Sequence, residues 1–226
     1  MVDFDRTWGP AVQAVLRKLS HGDDGLYRKL CALSGVDDAG FFKSDSLLIG
    51  QPTNVFAARW AQFIGRPAET AFFADVDRLL CRETTANLTP IGEPRDILGE
   101  LAQRGYRLGL STNDAEATAR THARKLGIDS LLEFIAGYDS GFGAKPAPGQ
   151  IAAFAAAVGV STPEIAAVGD TAPDVTAARA AGARAALVLT GPNSLNSLRQ
   201  VMPDAVLASI TELPAWLKRF QPAPGT

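Results

Sequence analysis

Residues Gly169-Asp170-Thr171-Ala172-Pro173-Asp174 decide the reading of this chain. The apolar run Ile165-Ala166-Ala167-Val168 leads into them, after the turn residues Ser161-Thr162-Pro163, and reads as a short buried strand. Gly169 lets the backbone turn sharply as a helix begins, so Asp170 and Asp174, four residues apart, can face one point. Two carboxylates converging where a parallel strand ends make a hard-oxygen site suited to Mg²⁺. Taken alone, the pattern is better explained by one Asp capping the helix and the other facing water.

Two upstream segments change that balance. Tyr106-Arg107-Leu108-Gly109-Leu110-Ser111-Thr112-Asn113-Asp114 reads as a strand ending in a hydroxyl and an amide. Gly143-Ala144-Lys145-Pro146-Ala147-Pro148 holds a lysine between turn residues ahead of a helix. By position alone Lys145 is a solvated loop residue, Thr112 a hydroxyl serving the next helix, and Asp114 that helix's cap. Asp139 reads equally as a lining residue or a plain turn residue. His21 and His122 are isolated and receive no role.

With these three segments in order, the chain resembles the haloacid dehalogenase-like hydrolases, within them the phosphoglycolate phosphatase-like branch. The resemblance is strong over residues 91–191 and loose elsewhere. It implies that Thr112 hydrogen-bonds phosphoryl oxygens, Asn113 helps to position them, and Lys145 neutralises phosphate charge. It further implies that Asp170 holds Mg²⁺, with Asp174 as a second ligand or its support. The implied reaction is phosphomonoester hydrolysis through an aspartyl-phosphate, on a small phosphorylated metabolite such as phosphoglycolate. A phosphomutase is a related possibility, a dehalogenase is disfavoured by the acidic loop, and a binding relic without catalysis is the remaining alternative.

That alternative arises from the first motif, which in such proteins is a strand ending in D-x-D-G-T. The chain begins Met1-Val2-Asp3-Phe4-Asp5-Arg6-Thr7-Trp8-Gly9-Pro10. One alignment makes Asp3 the nucleophile and Asp5 the acid/base. The other takes Met1-Val2-Asp3 as the tail that follows the motif, with the nucleophile upstream of Met1, and it suits the sequence better. The expectation is a chain truncated at its N-terminus, aggregation-prone or loosely folded and inactive, because too few apolar residues precede Asp3 for a central strand.

Residues 11–89 read as almost wholly helical, with Ala11, Val12, Val15, Leu16 and Leu19 on one face and Phe56, Trp60 and Phe63 as an aromatic stripe. From Pro90 onward, strands near 107–111, 134–137, 165–168, 185–189 and 205–207 alternate with helices. This demands a parallel sheet with right-handed crossovers and a site at the strands' carboxyl ends. The expected fold is therefore α/β, a Rossmann-like doubly wound parallel sheet formed by residues 1–10 and 90–226. Residues 11–89 would form an α-helical cap, as the resemblance implies.

Composition narrows the partners. With 22 basic and 24 acidic residues the net charge is −2, and no basic run supports nucleic-acid binding. No apolar stretch approaches membrane-spanning length, and no signal-peptide pattern opens the chain. Cys31 and Cys81 lack metal-ligand spacing and read as reduced thiols of a cytoplasmic protein, a monomer or homodimer.

Overall fold

The computed structural model describes residues 1–192 and 201–220. Helix α1 covers Phe4–Leu19 and begins earlier than the expected Ala11, because Asp3 caps it by accepting from the Arg6 amide at 3.0 Å. Pro10 lies inside this helix, and Gly9 packs against the Gly40 carbonyl so closely that any β-carbon would collide with it. Three further helices follow, α2 (Asp24–Ser34), α3 (Thr53–Phe63) and α4 (Thr70–Ala86). Their apolar faces meet around Leu16, Leu30, Phe56, Trp60, Val76 and Leu80, all buried. Trp60, the largest fully buried side chain, donates Nε1–H to the Ser34 hydroxyl at 2.9 Å, so its one polar group is satisfied. The expected stripe is thus partly right: Phe56 and Trp60 are core, whereas Phe63 is exposed.

From residue 90 the chain alternates as its periodicity requires. Helix α5 (Pro94–Gln103) precedes strand β1 (Gly109–Ser111), and α6 (Glu116–Lys125) precedes β2 (Phe134–Ala136). Helix α7 (Gly149–Val158) leads to β3 (Ala166–Gly169), then α8 (Ala172–Ala181) to β4 (Arg184–Val188). Strand β5 (Ala205–Leu207) and the short α9 (Leu213–Leu217) complete the described elements. All ladders among these strands are parallel, β1 with β2 in one group and β3-β4-β5 in the other. The strands thus form two groups, and β1 and β3 do not pair with each other, in keeping with the expectation that too few apolar residues precede Asp3 for a central strand.

The helical and α/β portions meet at two places that bear on the site. Val2 bridges Pro90 in antiparallel fashion, with the Asp3 amide donating to Thr89 O at 2.8 Å and the Ile91 amide to Met1 O at 2.9 Å. On the other side His122 of α6 is buried, with Nε2 2.9 Å from the Thr84 hydroxyl of α4. Burial, then the charge of Lys125, lowers the His122 pKa to about 4, so the ring is neutral.

Candidate active site

The carboxyl ends of β1 and β3 carry the two halves of one polar cluster. On the β3 side, Gly169 has no room for a β-carbon, because the Asp174 carboxyl occupies that space. This close approach follows from a capping box at the start of α8. Asp174 Oδ2 accepts from the Thr171 amide at 3.0 Å and from its hydroxyl at 2.6 Å. On the β1 side, Lys145 reaches across the gap. Its Nζ donates to Asp174 Oδ1 at 2.6 Å and to the Ser111 carbonyl at 3.0 Å, with both charged side chains only 14% exposed. Lys145 is thus a largely, though not fully, buried cation joining the two strand groups, not a solvated loop residue.

The electrostatics follow from this arrangement. Burial alone would raise the Asp174 pKa, but the Lys145 charge and the Lys145 and Thr171 hydrogen bonds hold it below the usual carboxylate value. Asp170 behaves oppositely: burial pushes its pKa up and the charge of Asp174 adds to this, against the smaller pull of the Met1 amine and Lys145. The Met1 amine is itself lowered by burial, with Asp170 opposing. A buried carboxyl whose charged form is disfavoured, beside a second carboxylate, is where a divalent cation would restore charge balance. The donor set fits Mg²⁺ in the sparse form in which one or two carboxylates and several waters hold it. No cluster of three or more His, Cys, Asp or Glu with metal-binding geometry occurs among the described residues.

Thr112 stands at the end of β1, its hydroxyl accepting from the Asp114 amide at 3.1 Å. Asn113 has a structural connection that its sequence position did not reveal. Its Nδ2 donates to Gly50 O at 2.7 Å and Lys145 O at 2.9 Å, while its Oδ1 accepts from the Lys145 amide at 2.8 Å. It therefore fixes the lysine loop and ties it to the Gly50 loop of the helical portion. Gly50 has φ +70 and lies against Pro173 and Thr171, so this loop covers the start of α8.

One sequence assignment changes, and one open choice is decided. Asp114 does not cap α6: the N-cap is Ala115, without a side-chain cap bond, and Asp139 Oδ1 instead accepts from the Glu116 amide at 2.8 Å. Asp139 is therefore a helix-capping turn residue. The Asp114 carboxyl lies within the cluster, its pKa pushed up to about 6 by burial against the pull of Lys145 and the Thr112 hydroxyl. Gln150 was not recognised either. Fully buried, its Nε2 lies 3.1 Å from the carbonyls of Thr112, Gly137 and Gly143, tying the β1 end to the lysine loop. A polar residue in the otherwise apolar helix Gly149–Val158 was the available signal. Tyr138 donates to Asp77 Oδ2 at 2.7 Å, a second link from the helices to this end of the strands.

Between the strand groups lies a cavity of about 880 Å³, lined by the whole of β1 and β3 and reaching Thr112, Lys145, Asp170 and Asp174. Asp3 is engaged at the start of α1, and Asp5 accepts from the Phe42 amide at 3.4 Å.

Comparison with known proteins agrees with this architecture. A family model described as haloacid dehalogenase-like hydrolase matches residues 12–182. A phosphoglycolate phosphatase of Rhodospirillum rubrum is 33% identical over 126 residues, covering 56% of this chain and 52% of that protein. The enzyme of the same name from Yersinia pestis is 28% identical over 174 residues, 74% of each chain. The chain spans about half the length of most curated relatives it matches. A hydrolase structure from Pseudomonas syringae superposes with a TM-score of 0.69 at 15% identity, covering 96% of this chain and 94% of that one, a likeness of fold.

Proposed function

Because the chain belongs to the haloacid dehalogenase-like hydrolases, we propose that it serves a Mg²⁺-dependent phosphomonoesterase acting on a small phosphorylated metabolite of the phosphoglycolate kind. The observation that carries this reading is the buried Lys145 cation spanning the ends of β1 and β3, beside Thr112 and the Asp170–Asp174 pair. An anion entering the cavity mouth would meet the Lys145 ammonium and the Thr112 hydroxyl, both donors suited to equatorial phosphoryl oxygens. Asp170 would hold Mg²⁺ directly. Asp174, already engaged by Lys145 and Thr171, would support it through charge and by orienting the lysine. When bound, Mg²⁺ would offset the repulsion between phosphate and the Asp170–Asp174 carboxylates.

Asn113 would act by holding Lys145 and the Gly50 loop in place rather than by touching phosphate. The Gly50 loop and the helical portion, residues 11–89, would close over the substrate as a cap, leaving residues 1–10 and 90–226 as the catalytic core. An aspartyl-phosphate route needs a carboxylate presented at the cavity mouth. Asp3 accepts from the Arg6 amide at 3.0 Å and Asp5 from the Phe42 amide at 3.4 Å, contacts that favour a structural role for both. The free thiols Cys31 and Cys81 suit a cytoplasmic setting, where the protein would act as a monomer or homodimer. No helix among the described residues is long and apolar enough to cross a membrane.

The test is phosphate release from 2-phosphoglycolate and other small phosphomonoesters, with and without Mg²⁺, beside calorimetric binding of inorganic phosphate. Mg²⁺-dependent release, or Mg²⁺-dependent phosphate binding that Lys145→Ala weakens, supports the reading. Absence of both release and phosphate binding in the presence of Mg²⁺ overturns it.

A further inference from the structure

The charges at the carboxyl ends of β1 and β3 are mostly negative. Asp114 lines the cavity just beyond Thr112. Its amide donates to the Thr112 hydroxyl at 3.1 Å, and its carboxyl lies within hydrogen-bond reach of the same hydroxyl. The charges of Lys145, Asp77 and Asp170 all act on this carboxyl, which places it among them. Asp77 belongs to α4 and accepts from the Tyr138 hydroxyl at 2.7 Å, so the helical portion brings a further carboxylate to this end of the cavity. Lys145 is the one lysine or arginine among the described residues that lines this end, and Asp174 already accepts from it at 2.6 Å. The Met1 amine, whose charged form burial disfavours, acts on Asp170.

The other basic side chains lining the cavity stand at the amino ends of the strands. Arg107 precedes Thr112 by five residues, about 16 Å along an extended chain, and pairs with Glu133. Arg184 opens β4 and lies over the Phe220 ring, 4.2 Å from its centre. The helical portion covers the cavity with uncharged groups, among them Leu48, Gln51 and Phe56. Gln51 is exposed, and its amide makes no hydrogen bond among the described residues. It stands between two fixed neighbours. Gly50 gives its carbonyl to Asn113 Nδ2 at 2.7 Å and lies against Thr171 and Pro173, and Pro52 leads into α3. The one polar side chain from the Gly50 loop at the cavity is therefore a neutral amide, able to donate and to accept.

We propose that this site selects phosphomonoesters whose leaving alcohol carries hydroxyl groups and no negative charge, with Asp114 and Gln51 as the residues that discriminate. This selectivity rests on the phosphatase reading of the same site and narrows its substrate class: a small phosphate ester is accepted and a second anionic group is refused. Lys145 serves the phosphoryl oxygens, so a carboxylate on the leaving group meets Asp114 with no side-chain cation left to pair it. Two like charges brought together in a partly buried site repel strongly, and such a juxtaposition is an effective way to reject a ligand. A hydroxyl in the same place donates to the Asp114 carboxylate or exchanges hydrogen bonds with the Gln51 amide.

The matched probes are 2-phosphoglycolate and 2-hydroxyethyl phosphate, in which a hydroxymethyl group replaces the carboxylate. Dissociation constants for both, and for inorganic phosphate, are measured by calorimetry with Mg²⁺ at about pH 8, where carboxyls such as Asp114 are ionised. The proteins are the wild type, Asp114→Asn and Gln51→Arg. The wild type should bind 2-hydroxyethyl phosphate about tenfold or more tightly than 2-phosphoglycolate. Asp114→Asn should cut that ratio to about threefold or less, and Gln51→Arg, which supplies a cation at the exposed loop, should abolish or invert it. A variant that merely loosens the fold weakens all three ligands together and leaves the ratio where it was. A wild-type ratio near one or in favour of 2-phosphoglycolate, or a ratio that neither variant moves, overturns the proposal, while binding of inorganic phosphate keeps the phosphatase reading standing. Absence of binding by all three ligands overturns both.

Discussion

Replacing Lys145 by Met should destabilise the protein, although a lysine between prolines in a loop would ordinarily be expendable. The methylene stem is nearly conserved, so what is removed is the ammonium. Its loss leaves Asp174 buried without its cation and Ser111 O without its donor. Removing one partner of a buried pair costs about 3–5 kcal/mol where nothing else compensates. Here the two Thr171 donors remain on the other carboxylate oxygen, so about 2–4 kcal/mol is expected. For a chain of this length that is a fall of very roughly 4–16 °C in melting temperature. Asp174 would regain a proton more readily in the variant. A carboxyl whose folded pKa rises binds protons more tightly when folded, so the deficit should be largest above neutral pH and shrink as the pH falls. Asp174→Asn in the same background removes the stranded charge and should restore much of the loss. The assay is thermal and urea unfolding of the four members of this cycle between pH 5 and 8. A Lys145→Met variant as stable as wild type at pH 8, or a cycle with no coupling, would show that the buried pair does not hold the two strand groups together.

Three other outcomes follow from the same geometry. His122, with a pKa of about 4 in the fold against 6.5 as its ordinary value, contributes stability that is complete above pH 6.5 and is lost as pH falls toward 4, about 3 kcal/mol in all. His122→Leu should flatten acid unfolding over that range, and an unchanged acid profile would refute the buried neutral ring. Asn113→Ala should cost about 2–3 kcal/mol, since two carbonyls and an amide lose one shared partner, and limited proteolysis should cut the Gly50 loop and the residues around Lys145 faster. Gly169→Ala should weaken the fold by several kcal/mol, because its methyl group would displace the Asp174 carboxyl from Thr171 and Lys145; a change below about 1 kcal/mol would contradict the close approach.

The fold was legible where local signals were strong. Helix Gly149–Val158 has its boundaries marked by Gly149 and Gly159, and strand Ala205–Leu207 is a short apolar run after Pro203-Asp204, so the sequence marks both where they occur. Helix α1 was misjudged at its start because Gly9 and Pro10 look like breakers. Asp3 caps the helix seven residues before Pro10, and the close packing on Gly40 gives the glycine its purpose. At the site, Asp170, Asp174, Thr112 and Lys145 could be named as candidates only through the family resemblance, since by position alone Lys145 reads as a solvated loop residue and Thr112 as a hydroxyl serving the next helix. What Asn113, Gln150 and Asp114 do could not be read, since each is defined by a partner far away in sequence: Gly50, the Thr112 carbonyl, and Lys145. The burial of Lys145 was hidden for the same reason, as its counter-charge lies 29 residues downstream.

The proposal most open to direct test is that Asp170, beside the Asp174 carboxylate held by Lys145 and Thr171, would bind a divalent cation at the carboxyl end of β3. The most direct test is a calorimetric Mg²⁺ titration of the wild-type chain and of Asp170→Asn. The amide keeps the shape of the side chain but removes the buried charge whose pKa is raised, so metal-free stability should be unchanged or higher. Saturable Mg²⁺ binding by the wild type, weakened by about tenfold or more in the variant without loss of melting temperature, is the predicted result. Equal Mg²⁺ affinity in the two proteins would contradict the account.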